Sequence, residues 1–285
     1  MITRGDKNLG GWENFANFAT MSNSVRPKKA LGQHFLTDMG VAARIAATLD
    51  SYASLPVLEI GPGTGVLTQF LMKSHPADKL SLIEIDTESV EWLKKHLPEP
   101  QPSIIEGDFL TMPFEKMLPG DSPCCIIGNY PYNISSQIFF KVLDHRDRVV
   151  CCSGMLQREV AERIAAAPGT KARGILSVLL QAWYDIEYLF TVSEHVFNPP
   201  PKVKSGVIRM TRNAVTDLGC DADLFRIVVK TTFGQRRKTI RNSIRGLLPP
   251  GEHAIDDKLG AMRPEQLTVG QFVELTRAVQ SARGL

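Results

Sequence analysis

"PVLEIGPGTGVL", residues 56–67, decides the fold. A short apolar run ending at Ile60 opens onto Gly61, Gly63 and Gly65, and a helical spacing follows. Glycine there lets the backbone turn tightly and approach a ligand with no Cβ in the way, and the start of the next helix offers free N–H groups. Val66 stands where the dinucleotide fingerprint G-x-G-x-x-G needs its third glycine, which argues against a nicotinamide cofactor. A strand, a glycine turn and a helix in this order point to a nucleoside-containing ligand at the end of a parallel strand.

The same grammar runs outward on both sides. Upstream, "DMGVAARIAATL" has helical spacing after a Thr/Asp cap. Downstream, "KLSLIEID", "SIIEGD", "CCIIGN" and "RVVCCSGML" read as apolar strands, separated by the helical patterns "TESVEWLKKHL" and "SSQIFFKVLD". "GVLTQFLMKS" is expected to be the helix after the glycine turn. Short apolar strands alternating with helices imply an α/β fold whose mostly parallel sheet is covered on both faces, with ligands at the carboxyl ends of its strands. After "PPPKVKSGVIRMTR" the pattern changes: residues 221–248 and 264–280 read as helices, broken by "LPPG". The expected organisation is a sheet domain over 25–213 and a small all-helical domain over 214–285. Residues 1–24 show no periodicity and are expected to be a disordered extension.

A chain of 285 residues, 43% hydrophobic and 22% charged, has the composition of an ordinary globular protein. No apolar run approaches the roughly 18–20 residues that span a bilayer, and no signal sequence is visible, so a cytoplasmic protein is expected. The five cysteines show no zinc spacing, and no metal is expected. The adjacent pairs Cys124/Cys125 and Cys151/Cys152 suit buried thiols in apolar strands.

Acids at successive strand ends sharpen the ligand. Glu84 ends "LSLIE", where a carboxylate can accept both hydroxyls of a ribose. Asp86 beside it suits a helix cap. Asp108 ends the next strand and can accept from an adenine amino group. Asn129 ends the strand after that, in "IIGNYPYNIS" (126–135). Its side-chain oxygen and a main-chain carbonyl in the irregular turn before Pro131 can converge on one amino group. Tyr132 supplies a flat face on which an unstacked base can rest.

In combination, "E-I-G-x-G-x-G", the acidic strand end, "GDF" and "NYPYNIS" resemble class I methyltransferases that act on adenine N6 with S-adenosylmethionine. "KKALGQHFL" (28–36), "MLQREVAERI", "FNPPPKVKSGV" and "FGQRRKTIRNSI" narrow the resemblance to the rRNA adenine dimethyltransferases of the KsgA type, from about Val25 to the C-terminal helices. The resemblance implies a Rossmann-like seven-stranded sheet. It also implies that His34 and Leu36 close over the cofactor, that Gly61 and Gly63 form its cradle, and that Glu84 takes the ribose and Asp108 the adenine. By the same resemblance Asn129 sits between the methyl donor and the target amine, and Phe197 stacks on the target adenine opposite Tyr132. Two positions depart from the family: His34 replaces the usual Asn after Gly-Gln, and Tyr130 replaces the usual Leu before the Pro.

Residues 225–245, "FRIVVKTTFGQRRKTIRNSIR", hold seven Lys or Arg and no acid. On one helix Arg237, Arg241 and Arg245 would share a face, a pattern suited to phosphates. Arg236, Lys238, Lys202 and Lys204 join this expected RNA-binding set, and "RPKK" at 26–29 forms a second basic patch. The expected function is dimethylation of two adjacent adenines in the 3′-terminal hairpin of small-subunit (16S) rRNA, with a role in small-subunit biogenesis. The expected partner is that RNA or its precursor particle, bound by a monomer. The rivals are a resistance-type methyltransferase of large-subunit rRNA, a non-catalytic ribosome-assembly factor and a DNA adenine methyltransferase.

Overall fold

A computed structural model describes residues 25–252 and 255–284. The segment 1–24, expected to be disordered, lies outside the described residues. Nine strands are described: β1 (Phe35–Leu36), β2 (Val57–Ile60), β3 (Leu80–Glu84), β4 (Ser103–Glu106), β5 (Cys124–Asn129), β6 (Val149–Gln157), β7 (Tyr184–Val192), β8 (Phe197–Asn198) and β9 (Ser205–Arg212). Seven of them form one sheet in the order β4-β3-β2-β5-β6-β9-β7, parallel except for β9. β1 and β8 pair apart from it, with Leu36 opposite Phe197.

Helices on both faces bury the sheet: α1 (Met39–Ala46), α2 (Thr68–Ser74), α3 (Thr87–His96), α4 (Phe114–Met117), α5 (Ser135–Asp144), α6 (Arg158–Ile164) and α7 (Ile175–Gln181). Alternation along the strands sorts side chains between two apolar clusters, as a period of two demands. Val57, Leu82, Cys125 and Ile127 pack toward α1 and α2. Leu58, Ile83, Cys124 and Ile126 pack toward α5 and α7. Strand order reverses between β2 and β5, so the carboxyl ends of β3, β2 and β5 surround a crevice where open α/β sheets bind ligands.

Asp38 caps α1 as expected, accepting from Val41 N–H at 2.9 Å. The helix after the glycine turn starts at Thr68, later than its spacing suggests, because Gly61, Gly63 and Gly65 hold positive φ and delay regular geometry. Asp86 sits at the N-cap position of α3, but its carboxylate makes no capping bond to the helix backbone; it bonds Lys28, Gln33 and Ser89.

The C-terminal helices are α8 (Ala222–Gly234), α9 (Ile240–Ser243), α10 (Asp257–Ala261) and α11 (Val269–Ala282). The single helix expected over 221–248 therefore ends at Gly234. The chain turns back because Ile240 and Ile244 are both fully buried, while Gln235 reaches across to the Ser243 carbonyl at 3.0 Å. α11 starts at Val269, where Thr268 and Gln271 cap each other. Leu224, Phe225, Val228, Phe272 and Leu275 continue the same apolar cluster as α5 and α7, so these helices share a core with the sheet.

Candidate active site

A cleft of about 740 Å³, open to solvent, lies over the carboxyl ends of β2, β3, β4 and β5. Gly61, Gly63, Glu84, Asp108, Asn129 and Tyr132, named from the sequence, all line it, as does His34. Gly61 has a φ of 65°, and a Cβ there would enter open space. The backbone can thus lie directly against a ligand. At Gly63 a Cβ would meet the Phe35 ring at 2.9 Å.

Glu84 is buried, and both its oxygens accept main-chain bonds: Oε2 from Gly63 N–H and Oε1 from Asp86 N–H, each at 3.0 Å. Burial raises its pKa, and those two N–H groups offset the rise only in part. Pinned this way, the carboxylate keeps lone pairs for two ribose hydroxyls. Glu59, in β2 directly before the glycine turn, is 1% exposed. Burial pushes its carboxyl up to about 8, so it is mostly protonated at neutral pH. Among the described residues its Oε2 and the nearby Thr64 hydroxyl have no hydrogen-bond partner, while Thr68 lies close enough to offset part of the rise. Glu59 lines a small cavity next to the cleft with Leu36, Gly61, Gly63 and Asn129. A cleft at the strand ends, an open glycine face, a pinned carboxylate and a buried acid beside it fit S-adenosylmethionine, whose ribose, adenine and amino-acid tail need such partners.

Asp108 Oδ1 accepts from Leu110 N–H at 2.8 Å; among the described residues its second oxygen has no partner. Asn129 Nδ2 donates to the His34 main-chain carbonyl at 3.0 Å. The amide is thereby fixed with its oxygen, unbonded among the described residues, as the acceptor. Tyr130 also lines the cleft, and its carbonyl receives no hydrogen bond among the described residues. The Tyr130 ring turns into the core, where its hydroxyl donates to the Ser153 carbonyl at 2.6 Å. Gly128 and Gly154 make room for that ring, since a Cβ on either would come within 3.1 Å of it. The larger side chain at this departure from the family is thus absorbed away from the cleft.

Tyr132 is half-buried, its phenol bonded to Ser205 Oγ at 2.6 Å. Its ring stacks on His34, with centroids 5.6 Å apart and planes 30° from parallel. His34 Nδ1 lies 2.7 Å from the Pro199 carbonyl, and because a carbonyl only accepts, the proton sits on Nδ1.

Phe197 requires a correction. It is 5% exposed, packs in the apolar cluster with Leu36, Ala42 and Val207, and lines neither the cleft nor the groove beyond Tyr132. The pairing of β8 with β1 holds it there, and in this arrangement His34 is the ring that stacks on Tyr132. Leu36 is also buried and borders the smaller cavity; Phe35 is the residue laid over Gly63. Sequence reasoning missed Phe35 and Glu59. An acid inside an apolar strand, directly before the glycines, was the available signal for Glu59.

The basic residues also need revision. Arg237 lies in the turn after α8, so Arg237, Arg241 and Arg245 do not share a helix face. Arg241 pairs with Asp257, and Arg236 bonds the Lys171 carbonyl and lies 3.8 Å from Glu265. Lys28 pairs with Asp86 and is not a free cation. Arg237, Lys238, Arg245, Lys202 and Lys204 are exposed and form no ion pair among the described residues. Beyond Tyr132 a groove runs between Lys29 and Gln33 on one side and Pro199–Val203 on the other, with Lys202 on its wall.

Comparison with known proteins places this geometry. A family model described as "Ribosomal RNA adenine dimethylase" matches residues 25–281. A ribosomal RNA small subunit methyltransferase A from Parabacteroides distasonis is 62% identical over 88% of this chain and 93% of its own length. Among solved structures, a dimethyladenosine transferase from Plasmodium falciparum superposes with a TM-score of 0.73 at 23% identity, covering 88% of this chain and 99% of that one. The 23S rRNA methyltransferase ErmE superposes at 0.64 and 26% identity, covering 86% and 99%. The two structures share the fold, with its mostly parallel sheet and helical C-terminal region. With nearly the whole described chain matched and the strand-end residues gathered in one cleft, this protein belongs to the ribosomal RNA adenine dimethylase family.

Proposed function

We propose that this chain transfers methyl groups from S-adenosylmethionine to N6 of adenine in small-subunit (16S) rRNA. It acts twice on each of two adjacent adenines in the 3′-terminal hairpin, serving small-subunit biogenesis in the cytoplasm. The observation that carries the reading is the bond from Asn129 Nδ2 to the His34 carbonyl, which leaves the Asn129 oxygen as an acceptor beside the cleft. The printed name of the Parabacteroides relative and the family match support the RNA substrate and its subunit.

Glu84 holds the ribose, Asp108 the adenine amino group, and the Gly61–Gly63 turn with Glu59 the amino-acid end of the cofactor. When bound, S-adenosylmethionine supplies an electrophilic methyl group on a sulfonium, whose sulfur keeps the electrons of the broken bond. The target amine is a poor nucleophile because its lone pair is delocalised into the ring. Asn129 Oδ1 and the Tyr130 carbonyl accept its two N–H bonds and favour the pyramidal form, which is preorganised electrostatic stabilisation. The proton leaves the nitrogen for solvent, so no side-chain base is required. Tyr132 stacks on the base once it has left its helix, at a cost of a few kcal/mol that a loop target lowers.

Residues 25–213 form the catalytic unit in this reading and 214–285 the RNA-binding unit, acting as a monomer on rRNA or a precursor particle. Lys202 and Lys204 beside the groove, with Arg237, Lys238 and Arg245, contact phosphates. Transfer of tritium from labelled S-adenosylmethionine to undermethylated small subunits, large subunits and duplex DNA in parallel tests the proposal. Label in the small-subunit RNA supports it. Label confined to large-subunit RNA or DNA, or no label despite cofactor binding, would overturn it.

A further inference from the structure

Residues 28–36 cross the cofactor cleft as a strap, and Leu31, Gly32, Gln33, His34 and Phe35 line the cleft. The end of the strap is held by the pairing of Phe35–Leu36 with β8 and by His34 on the Pro199 carbonyl. Its first half has only one short turn over Lys29–Leu31, closed at Gly32 with a φ of 64°, and is held down by side chains. At its start Lys28 Nζ pairs with Asp86 Oδ1 and lies 3.7 Å from Glu88 Oε2. Gln33 Nε2 reaches the other Asp86 oxygen at 3.4 Å, while Gln33 Oε1 accepts from Lys28 N–H at 2.8 Å. Ser89 Oγ donates to the same carboxylate at 3.0 Å. Asp86 is 2% exposed. Burial alone would raise its pKa, but the bonds from Lys28, Ser89 and Gln33 outweigh that and hold it below the usual carboxylate value.

The next residue of the strap is His34, whose carbonyl accepts from Asn129 Nδ2. Two residues beyond Asp86 in the opposite direction is Glu84, which accepts from the Asp86 N–H. One buried carboxylate therefore joins the ribose-binding acid to the backbone that orients the catalytic amide. We propose that Asp86 is a positioning residue: through Lys28 and Gln33 it keeps the strap closed, and the closed strap sets the acceptor orientation of Asn129. This inference rests on the reading of Asn129 as the acceptor for the target amine. Opening the strap frees the Asn129 amide to rotate, so that its NH2 group faces an amine that needs an acceptor.

Two variants of the full chain test it, Asp86→Asn and Lys28→Met; the second removes a partly exposed partner and keeps the test valid if the first misfolds. Each is compared with wild type in two assays, single-turnover methyl transfer at saturating S-adenosylmethionine and stopped-flow release of S-adenosylhomocysteine. Both variants are expected to lower the single-turnover rate about tenfold or more, as misplacement of a reacting group does, and to release S-adenosylhomocysteine faster. A purely structural or cofactor-binding role would leave the rate at saturating cofactor intact, and that result overturns the proposal even if release quickens. If wild type itself transfers no methyl group, the proposed function falls instead. The release rates then judge the strap alone, and unchanged release overturns it.

Discussion

The Asn129 side-chain nitrogen lies 3.0 Å from the His34 main-chain carbonyl, so a residue in the segment over the cleft decides which way the Asn129 amide points. Asn129→Ala removes one acceptor for the amine and should lower transfer by about 10²–10³-fold, the cost of losing one preorganised partner of the transition state. S-adenosylhomocysteine affinity should stay within a few fold. Asn129→Asp keeps an acceptor but cannot donate to His34, so it too should be impaired. Single-turnover assays with calorimetry check both; transfer by the Ala variant above a tenth of wild type contradicts the role.

Glu84 is held by two backbone donors and faces the cleft. Glu84→Gln removes a charged acceptor and sets an NH2 group against one of those donors. Cofactor binding should weaken by roughly tenfold or more, from about 1.5–3 kcal/mol for a hydrogen bond to a charged group. Titration calorimetry with S-adenosylhomocysteine reads this directly, and an unchanged affinity would remove Glu84 from the ribose site.

Glu59 predicts a pH dependence of stability. Its folded pKa, about 8, lies above the ordinary value of 4.5, because burial penalises the charged form. The stability it contributes is fully present below the ordinary value and is lost as pH rises through about 8. Glu59→Gln should flatten the fall in urea-unfolding free energy between those limits. Parallel curves for variant and wild type would contradict the buried, protonated carboxyl.

Gly154 has a φ of 153°, and a Cβ there would lie 2.3 Å from the Gly128 carbonyl oxygen and 2.7 Å from the Tyr130 ring. Gly154→Ala should destabilise the protein by about 2 kcal/mol or more, combining overpacking with an unfavourable backbone conformation. A shift in urea midpoint measures it, and an unchanged midpoint would mean the ring is not seated there.

Arg237 and Arg245 are exposed and unpaired among the described residues, whereas Arg241 is held by Asp257. Reversing charge at Arg237 and Arg245 should weaken RNA binding and reduce its salt slope by roughly one per lost phosphate contact. Arg241→Glu should show a smaller change. Equal slopes for all variants would place the RNA elsewhere.

The sheet and the cofactor-facing acids were legible because each signal is local: an apolar strand, then a glycine, acid or amide at its end. Gly61, Glu84, Asp108 and Asn129 meet in space because parallel strands align their carboxyl ends. What the sequence hid depends on contacts between distant segments. The helix through Arg237 looked continuous because charge spacing carries no sign of the turn that buries Ile240 and Ile244. The family resemblance made Phe197 a base-stacking ring, whereas its burial follows from the β1–β8 pairing, which two-residue strands do not announce. The Asp86 to Lys28 pair joins residues 58 positions apart, and local reading saw a helix cap and a loose basic patch.

The most direct measurement of the central claim is nucleoside analysis of 16S rRNA from undermethylated small subunits incubated with the purified chain and S-adenosylmethionine. The account predicts N6,N6-dimethyladenine at two adjacent 3′-terminal positions, absent from a parallel reaction with Asn129→Ala. Methylation at another atom, or equal product from the Asn129→Ala chain, would contradict it.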